Sequence, residues 1–81
     1  MPRTKVLSGQ DLVKIFGHFN FSVLSQKGSH VKLGRVTTGG LRQILTVPNH
    51  KELDRGTVKA IYNQALRYIP DRELREFFYS E

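Results

Sequence analysis

The sequence predicts an α+β domain: a three-stranded antiparallel sheet covered on one face by two helices, with a short further helix at the C-terminus. Three observations predict it. Apolar residues recur at helical spacing near the start and again after Pro48, and between them lie three short β-type segments separated by glycine-containing turns. The chain has 81 residues, 38% of them hydrophobic, which suits one small domain near the lower size limit for a self-sufficient core. A chain this short can pack one layer of helix on one layer of sheet, so both helices are expected on the same sheet face.

Ser8 and Asp11 have the spacing of a capping box, in which the serine hydroxyl accepts from an exposed N–H and the carboxylate reaches back. Leu12, Ile15, Phe16 and Phe19 then follow the spacing of one buried helical face, predicting a helix from near Gly9 to Gly17 or His18. From Phe19 the period changes to two, with Phe21 and Val23 alternating with Asn20 and Ser22. Lys27-Gly28-Ser29 reads as a turn, Val31-Lys32-Leu33 as a second strand, Thr38-Gly39-Gly40 as another turn, and Gln43 to Val47 as a third strand stopped by Pro48. Val31 and Leu33 share one face, so His30 and Lys32 point to the other, which an antiparallel sheet can leave wet. Asp54 is the expected N-cap of a second helix carrying Val58, Ile61, Tyr62, Ala65 and Leu66. Pro70-Asp71 ends it, and Arg72 to Tyr79 forms a short helix docking through Leu74, Phe77 and Phe78. The whole chain, 1–81, is expected to be one domain with a core over about 8–68 and a helical tail over about 71–79.

The charge is unevenly placed. Thirteen Lys and Arg face seven Asp and Glu, a formal +6. The excess lies in residues 1–50, where Arg3, Lys5, Lys14, Lys27, Lys32, Arg35 and Arg42 are opposed by Asp11 alone. This asymmetry favours a polyanionic partner, with nucleic acid ahead of an anionic membrane surface. The first predicted helix has too few lysines for a membrane-surface helix. No apolar run reaches the ~20 residues of a membrane span, and Met-Pro-Arg-Thr-Lys lacks the apolar stretch of a signal peptide. With no cysteine, disulfides, thiolate zinc sites and thiol nucleophiles are excluded together, and a cytoplasmic location is expected.

The carboxylates cluster in the last third, away from the basic half, so neither a two-carboxylate hydrolase nor a magnesium site is indicated. His18, His30 and His50 show no zinc-ligand spacing. Gly39-Gly40 lacks the Lys-Ser or Lys-Thr of a phosphate-binding loop and reads as a hairpin turn. His18 suits the C-terminal end of its helix. His50 serves as a loop cap or as a second proton carrier. His30 differs, because it follows a Gly-Ser turn on the open face with Lys27 and Lys32 beside it. An imidazole exchanges protons near neutrality, and ammonium groups hold phosphate and stabilise the charge that builds on it. Those are the needs of RNA cleavage by the ribose 2′-hydroxyl, although such a histidine is also compatible with an ordinary surface role or with non-catalytic RNA binding.

Lys27-Gly28-Ser29-His30-Val31-Lys32-Leu33, then Val47-Pro48-Asn49-His50, then Leu53-Asp54-Arg55-Gly56-Thr57 with Ile61 and Gln64-Ala65, resemble the HicA-type toxin family in order and spacing. The resemblance runs from about Ser8 to Ala65, and Leu74-Arg75-Glu76-Phe77-Phe78 is similar to the family's tail. It implies a fold like a double-stranded-RNA-binding domain, α-β-β-β-α. It further implies a small endoribonuclease, an mRNA interferase of a type II toxin–antitoxin pair, that cuts mRNA without ribosome, metal or small-molecule cofactor. His30 is then the catalytic residue and a HicB-type antitoxin the protein partner; around that histidine Lys27 and Lys32 are expected to contact phosphate, with Gly28 and Ser29 completing the RNA-binding set, Ser29 first of all by satisfying the turn. The chain departs from the family pattern at two places. Gln64-Ala65 is followed by Leu66 where a helix-stopping glycine is usual, which predicts a second helix reaching about Tyr68. The Thr37 to Gly40 turn replaces an Asp-Gly hairpin.

Overall fold

The computed structural model describes residues 3–80. Their elements run β1 (Arg3–Thr4), α1 (Gly9–Gly17), β2 (Ser22–Lys27), β3 (His30–Val36), β4 (Arg42–Pro48), α2 (Arg55–Ala65), α3 (Asp71–Phe78) and β5 (Tyr79–Ser80). Strands β2, β3 and β4 form an antiparallel meander with β3 in the middle. The expected α+β architecture is therefore present, resembling a double-stranded-RNA-binding domain, with α3 as the short C-terminal helix.

Helix α1 begins as its sequence requires. The Ser8 hydroxyl accepts from the Asp11 N–H at 3.0 Å and the Asp11 carboxylate accepts from the Ser8 N–H at 2.9 Å, completing the capping box. Its end differs from expectation. Phe19 and Asn20 belong to the terminating turn and not to a strand: Asn20 takes a left-handed conformation, φ 71°, and the Phe21 N–H returns to the Phe16 carbonyl at 3.0 Å. This Schellman arrangement brings the residue after the turn against the last helical turn, and the Phe16 and Phe21 rings meet edge-on with centroids 6.1 Å apart. The strand starts only at Ser22, and Val23, although paired with the buried Leu33, stays 52% exposed on this edge strand and adds little to the core beside Phe21.

The core is one cluster. Val31, Leu33, Leu45 and Val47 from the sheet pack with Leu12, Ile15 and Phe16 of α1 and with Val58, Ile61, Tyr62 and Ala65 of α2. Leu74 and Phe78 of α3 are fully buried in the same cluster, with Phe77 packed against it. The Tyr62 hydroxyl donates to Asp71, which also accepts from Arg75 at 2.8 Å, tying α2 to α3. Burial and the neighbouring Asp71 carboxylate together push Tyr62 up to about 12. The chain ends meet in a contact that periodicity does not reveal, since β1 pairs with β5, Arg3 opposite Ser80 and Thr4 opposite Tyr79.

The second helix stops at Ala65 and not at Tyr68. Beyond it the chain tightens, with Arg67 bonding back to Gln64 and Tyr68 to Ala65 before Pro70. Proline disfavours helical geometry in the residue before it, and Arg35 takes the Tyr68 carbonyl. The guanidinium of Arg35, on the core side of β3, donates to the Gln43 side chain at 2.7 Å, the Phe19 carbonyl at 2.8 Å and the Tyr68 carbonyl at 2.9 Å. It also lies 4.7 Å from the centre of the Phe21 ring. Arg35, read in the sequence as part of the basic excess, is thus a structural clamp joining the end of α1, the sheet and the end of α2.

Two stability predictions follow from these contacts. Hydrogen bonds to a charged group run about 1.5–3 kcal/mol each and do not add fully, so Arg35→Ala should lower unfolding free energy by roughly 2–4 kcal/mol, with Arg35→Lys recovering only part because a lysine lacks the fork geometry. An unchanged urea midpoint for Arg35→Ala would contradict the clamp. Ser8→Ala should cost about 1 kcal/mol. The bonds from the Ser8 N–H and hydroxyl hold Asp11 below the usual carboxylate range, so the carboxylate's share of the capping box is complete above the ordinary Asp value and is lost as pH falls through the lowered one. The gap between wild type and Ser8→Ala should narrow on acidification without closing, because the bond that the hydroxyl accepts from the Asp11 N–H does not titrate.

Candidate nucleic-acid interface

The open face of the sheet is set by strand register. Lys27 pairs with His30 and His30 with Pro48, making one cross-strand row, and Ser25, Lys32 and Thr46 make the next. Paired residues project to the same side, and successive rows are about 7 Å apart. Lys27, His30 and Lys32 are all exposed. No residue of the two rows is acidic, so the imidazole lies beside two ammonium groups with no carboxylate between them. Past Lys32 the face turns apolar, because the Leu24 and Ile44 side chains meet over Gly34.

The β2–β3 turn consists of Gly28 and Ser29. Gly28 has φ +60°, which strains other residues. The Ser29 carbonyl accepts from the Asn49 N–H at 2.6 Å. That bond fastens the histidine hairpin to the β4–α2 loop. Of the five residues expected at the site, Lys27, His30 and Lys32 present side chains on one face, Gly28 shapes the turn, and Ser29 anchors it through its backbone.

Sequence reasoning missed what the loop brings alongside. Gly9 sits so close to it that a Cβ there would collide with the Pro48 carbonyl and lie 2.5 Å from the Asn49 Cα. The Gly9 N–H donates to the His50 carbonyl at 2.8 Å, and Gln10 Nε2 to Asn49 Oδ1 at 3.0 Å. Ser8, Gln10, Asn49, His50 and Lys51 line an open cavity of about 500 Å³ next to the hairpin. A signal was present: counting outward from the Thr37–Leu41 turn places Pro48 opposite His30, and Asn49 one step beyond. His50, expected as a loop cap or proton carrier, caps through its carbonyl. His18 stacks on Phe77 with centroids 5.4 Å apart. Among the described residues no group of three or more His, Asp or Glu side chains could hold a metal ion, and no helix is long and apolar enough to cross a membrane.

A family model described as the HicA toxin of bacterial toxin-antitoxin matches residues 9–66. The chain belongs to the HicA toxin family. Neither a curated protein nor a solved structure matches it significantly. The HicA match spans α1 through the end of α2, including the His30 hairpin and the β4–α2 loop, and leaves β1, α3 and β5 outside. The Gln64-Ala65 pair of this HicA chain has a structural explanation: the Gln64 side chain accepts from the Thr46 N–H of the β4 edge at 3.0 Å, and Ala65 is fully buried. A family toxin is one half of a toxin–antitoxin pair, so an antitoxin partner is implied.

The Gly9 contact yields a test of this assembly. Crowding a packed site costs about 1–3 kcal/mol, and Gly9→Ala should lose that much stability while shifting the backbone NMR signals of Ser29, His30 and Asn49. Unchanged signals at those three residues would show that the helix start does not hold the loop.

Proposed function

We propose that this HicA-family chain is the toxin of a type II pair and acts as an endoribonuclease on mRNA, independent of the ribosome and of metal, with His30 moving the proton. The observation that carries this reading is the exposed His30 in a row with Lys27, next to Lys32, on a face without acids. In the first step His30 takes the proton of a ribose 2′-hydroxyl. The 2′-oxygen attacks the adjacent phosphorus, and the bond to the 5′-oxygen of the next nucleotide breaks as that oxygen takes a proton from water. Lys27 and Lys32 hold the phosphate and stabilise the negative charge that builds on its oxygens. The turn at Gly28 and Ser29 lets the strand approach the imidazole closely. The nucleophile belongs to the substrate, so DNA is not cut. A HicB-type antitoxin keeps the enzyme inactive in the cytoplasm.

His30→Ala should slow RNA cleavage about a hundred- to ten-thousand-fold, the usual contribution of one proton carrier. Stability should stay within about 0.5 kcal/mol of wild type because the side chain is exposed. The check is cleavage of RNA and of DNA of equal sequence, with chelator present. Equal rates for His30→Ala and wild type would refute the role of His30, and salt-sensitive binding that leaves RNA intact would identify a non-catalytic RNA-binding module instead.

A further inference from the structure

The cavity beside the histidine hairpin is lined by side chains that the cleavage step does not use. Its floor is the β4–α2 loop, held against the hairpin by the Asn49 to Ser29 backbone bond and against α1 by the close approach of Gly9. Its polar groups are oriented. Asn49 Oδ1 already accepts from Gln10 Nε2 at 3.0 Å, which leaves both Asn49 Nδ2 hydrogens and the Gln10 Oε1 atom unused by each other. A donor beside an acceptor complements the edge of a nucleobase, and an unstacked base is what proteins read in single-stranded RNA. The remaining lining fits the same ligand: the His50 ring can stack on a base face, and the Lys51 ammonium suits a flanking phosphate. Its size, about 500 Å³, lies in the range of small-ligand sites.

We infer that this cavity is a nucleobase subsite, in which Asn49, held by Gln10 on the helix side of the sheet end, reads the edge of one base in a strand that runs past Ser29 from the phosphodiester at His30. The inference rests on the nuclease reading for its ligand, and it adds a source of cleavage-site preference. Asn49 and Gln10 are specificity residues here and take no part in proton transfer. Their removal should redistribute cleavage among sites.

The direct test is an NMR titration of the full chain with short single-stranded 2′-fluoro RNA, which lacks the attacking hydroxyl, against an abasic strand of the same length. The side-chain amide signals of Asn49 and Gln10 should move with the base-bearing strand and much less with the abasic one. Cleavage maps supply the second readout. Asn49→Ala should flatten the preference at one base position by roughly tenfold, the worth of a single hydrogen bond. Asn49→Asp, which keeps the shape and the Gln10 bond but loses the donors, should flatten it equally. Equal shifts with both strands would mean a phosphate contact only and would overturn the subsite, as would an unaltered map for both variants. Silent amides with shifts at Lys27 and Lys32 would overturn it while leaving the nuclease reading intact. Amide shifts without cleavage by wild type would do the reverse, and no response anywhere would overturn both.

Discussion

Strand β3 can complete the core only by turning Val31 and Leu33 toward the helices, and a strand that does so must turn His30 and Lys32 the other way. That alternation is the constraint on which the rest depends. It is enforced from both sides, because β3 is the middle strand and pairs without interruption with β4 from His30 to Val36. A slip of one residue would bury an imidazole and an ammonium group and expose two aliphatic side chains that are now at most 2% accessible. The same pairing that stabilises the sheet therefore aligns the proposed proton carrier with its cationic neighbours.

Three further contacts hold this sheet within the chain. Arg35 draws the end of α1 and the turn after α2 to the core side of β3, and Gln64 covers an N–H on the β4 edge that has no strand partner among the described residues. Gly9 lets the start of α1 touch the β4–α2 loop. None of these residues is on the open face, yet each fixes an element that carries or borders it. The opposite edge, β2, is exposed along its length. It carries an irregularity near Leu24 and a lysine at its end, features that discourage unwanted strand pairing.

Much of this was legible in the sequence, for identifiable reasons. Ser8 with Asp11, the Gly28 and Gly40 turns, Pro48, and the Leu74 and Phe78 spacing are local signals, and local signals survive in a linear reading. The exposure of His30 was readable because parity is a two-residue rule. What was not legible depends on contacts distant in sequence. Phe19 and Asn20 look like the start of an alternating strand, but the aromatic contact of Phe21 with Phe16 makes them a helix terminus. Val23 keeps the alternation, paired with Leu33, yet lies on the edge strand β2 and stays open to solvent. Leu66 removes a glycine stop, yet Pro70 and the capture of the Tyr68 carbonyl end the helix anyway. The pairing of β1 with β5 joins opposite ends of the chain, and the placement of Asn49 beside Ser29 needed the strand register rather than the residue types.

The family match and the geometry meet at the hairpin: the matched segment contains it, and the fold leaves it open with cations on one side and a polar cavity on the other. The chemistry proposed for it has a distinctive consequence. Attack by the ribose 2′-oxygen must leave a 2′,3′-cyclic phosphate, or its hydrolysis product, on one fragment and a free 5′-hydroxyl on the other, with or without chelator. Analysis of the fragment ends produced by the purified chain is the most direct measurement. Cyclic phosphate and 5′-hydroxyl ends, formed at least about a hundredfold more slowly by His30→Ala, are the predicted result; 5′-phosphate ends, or ends of either kind formed by that variant as fast as by wild type, would contradict the account.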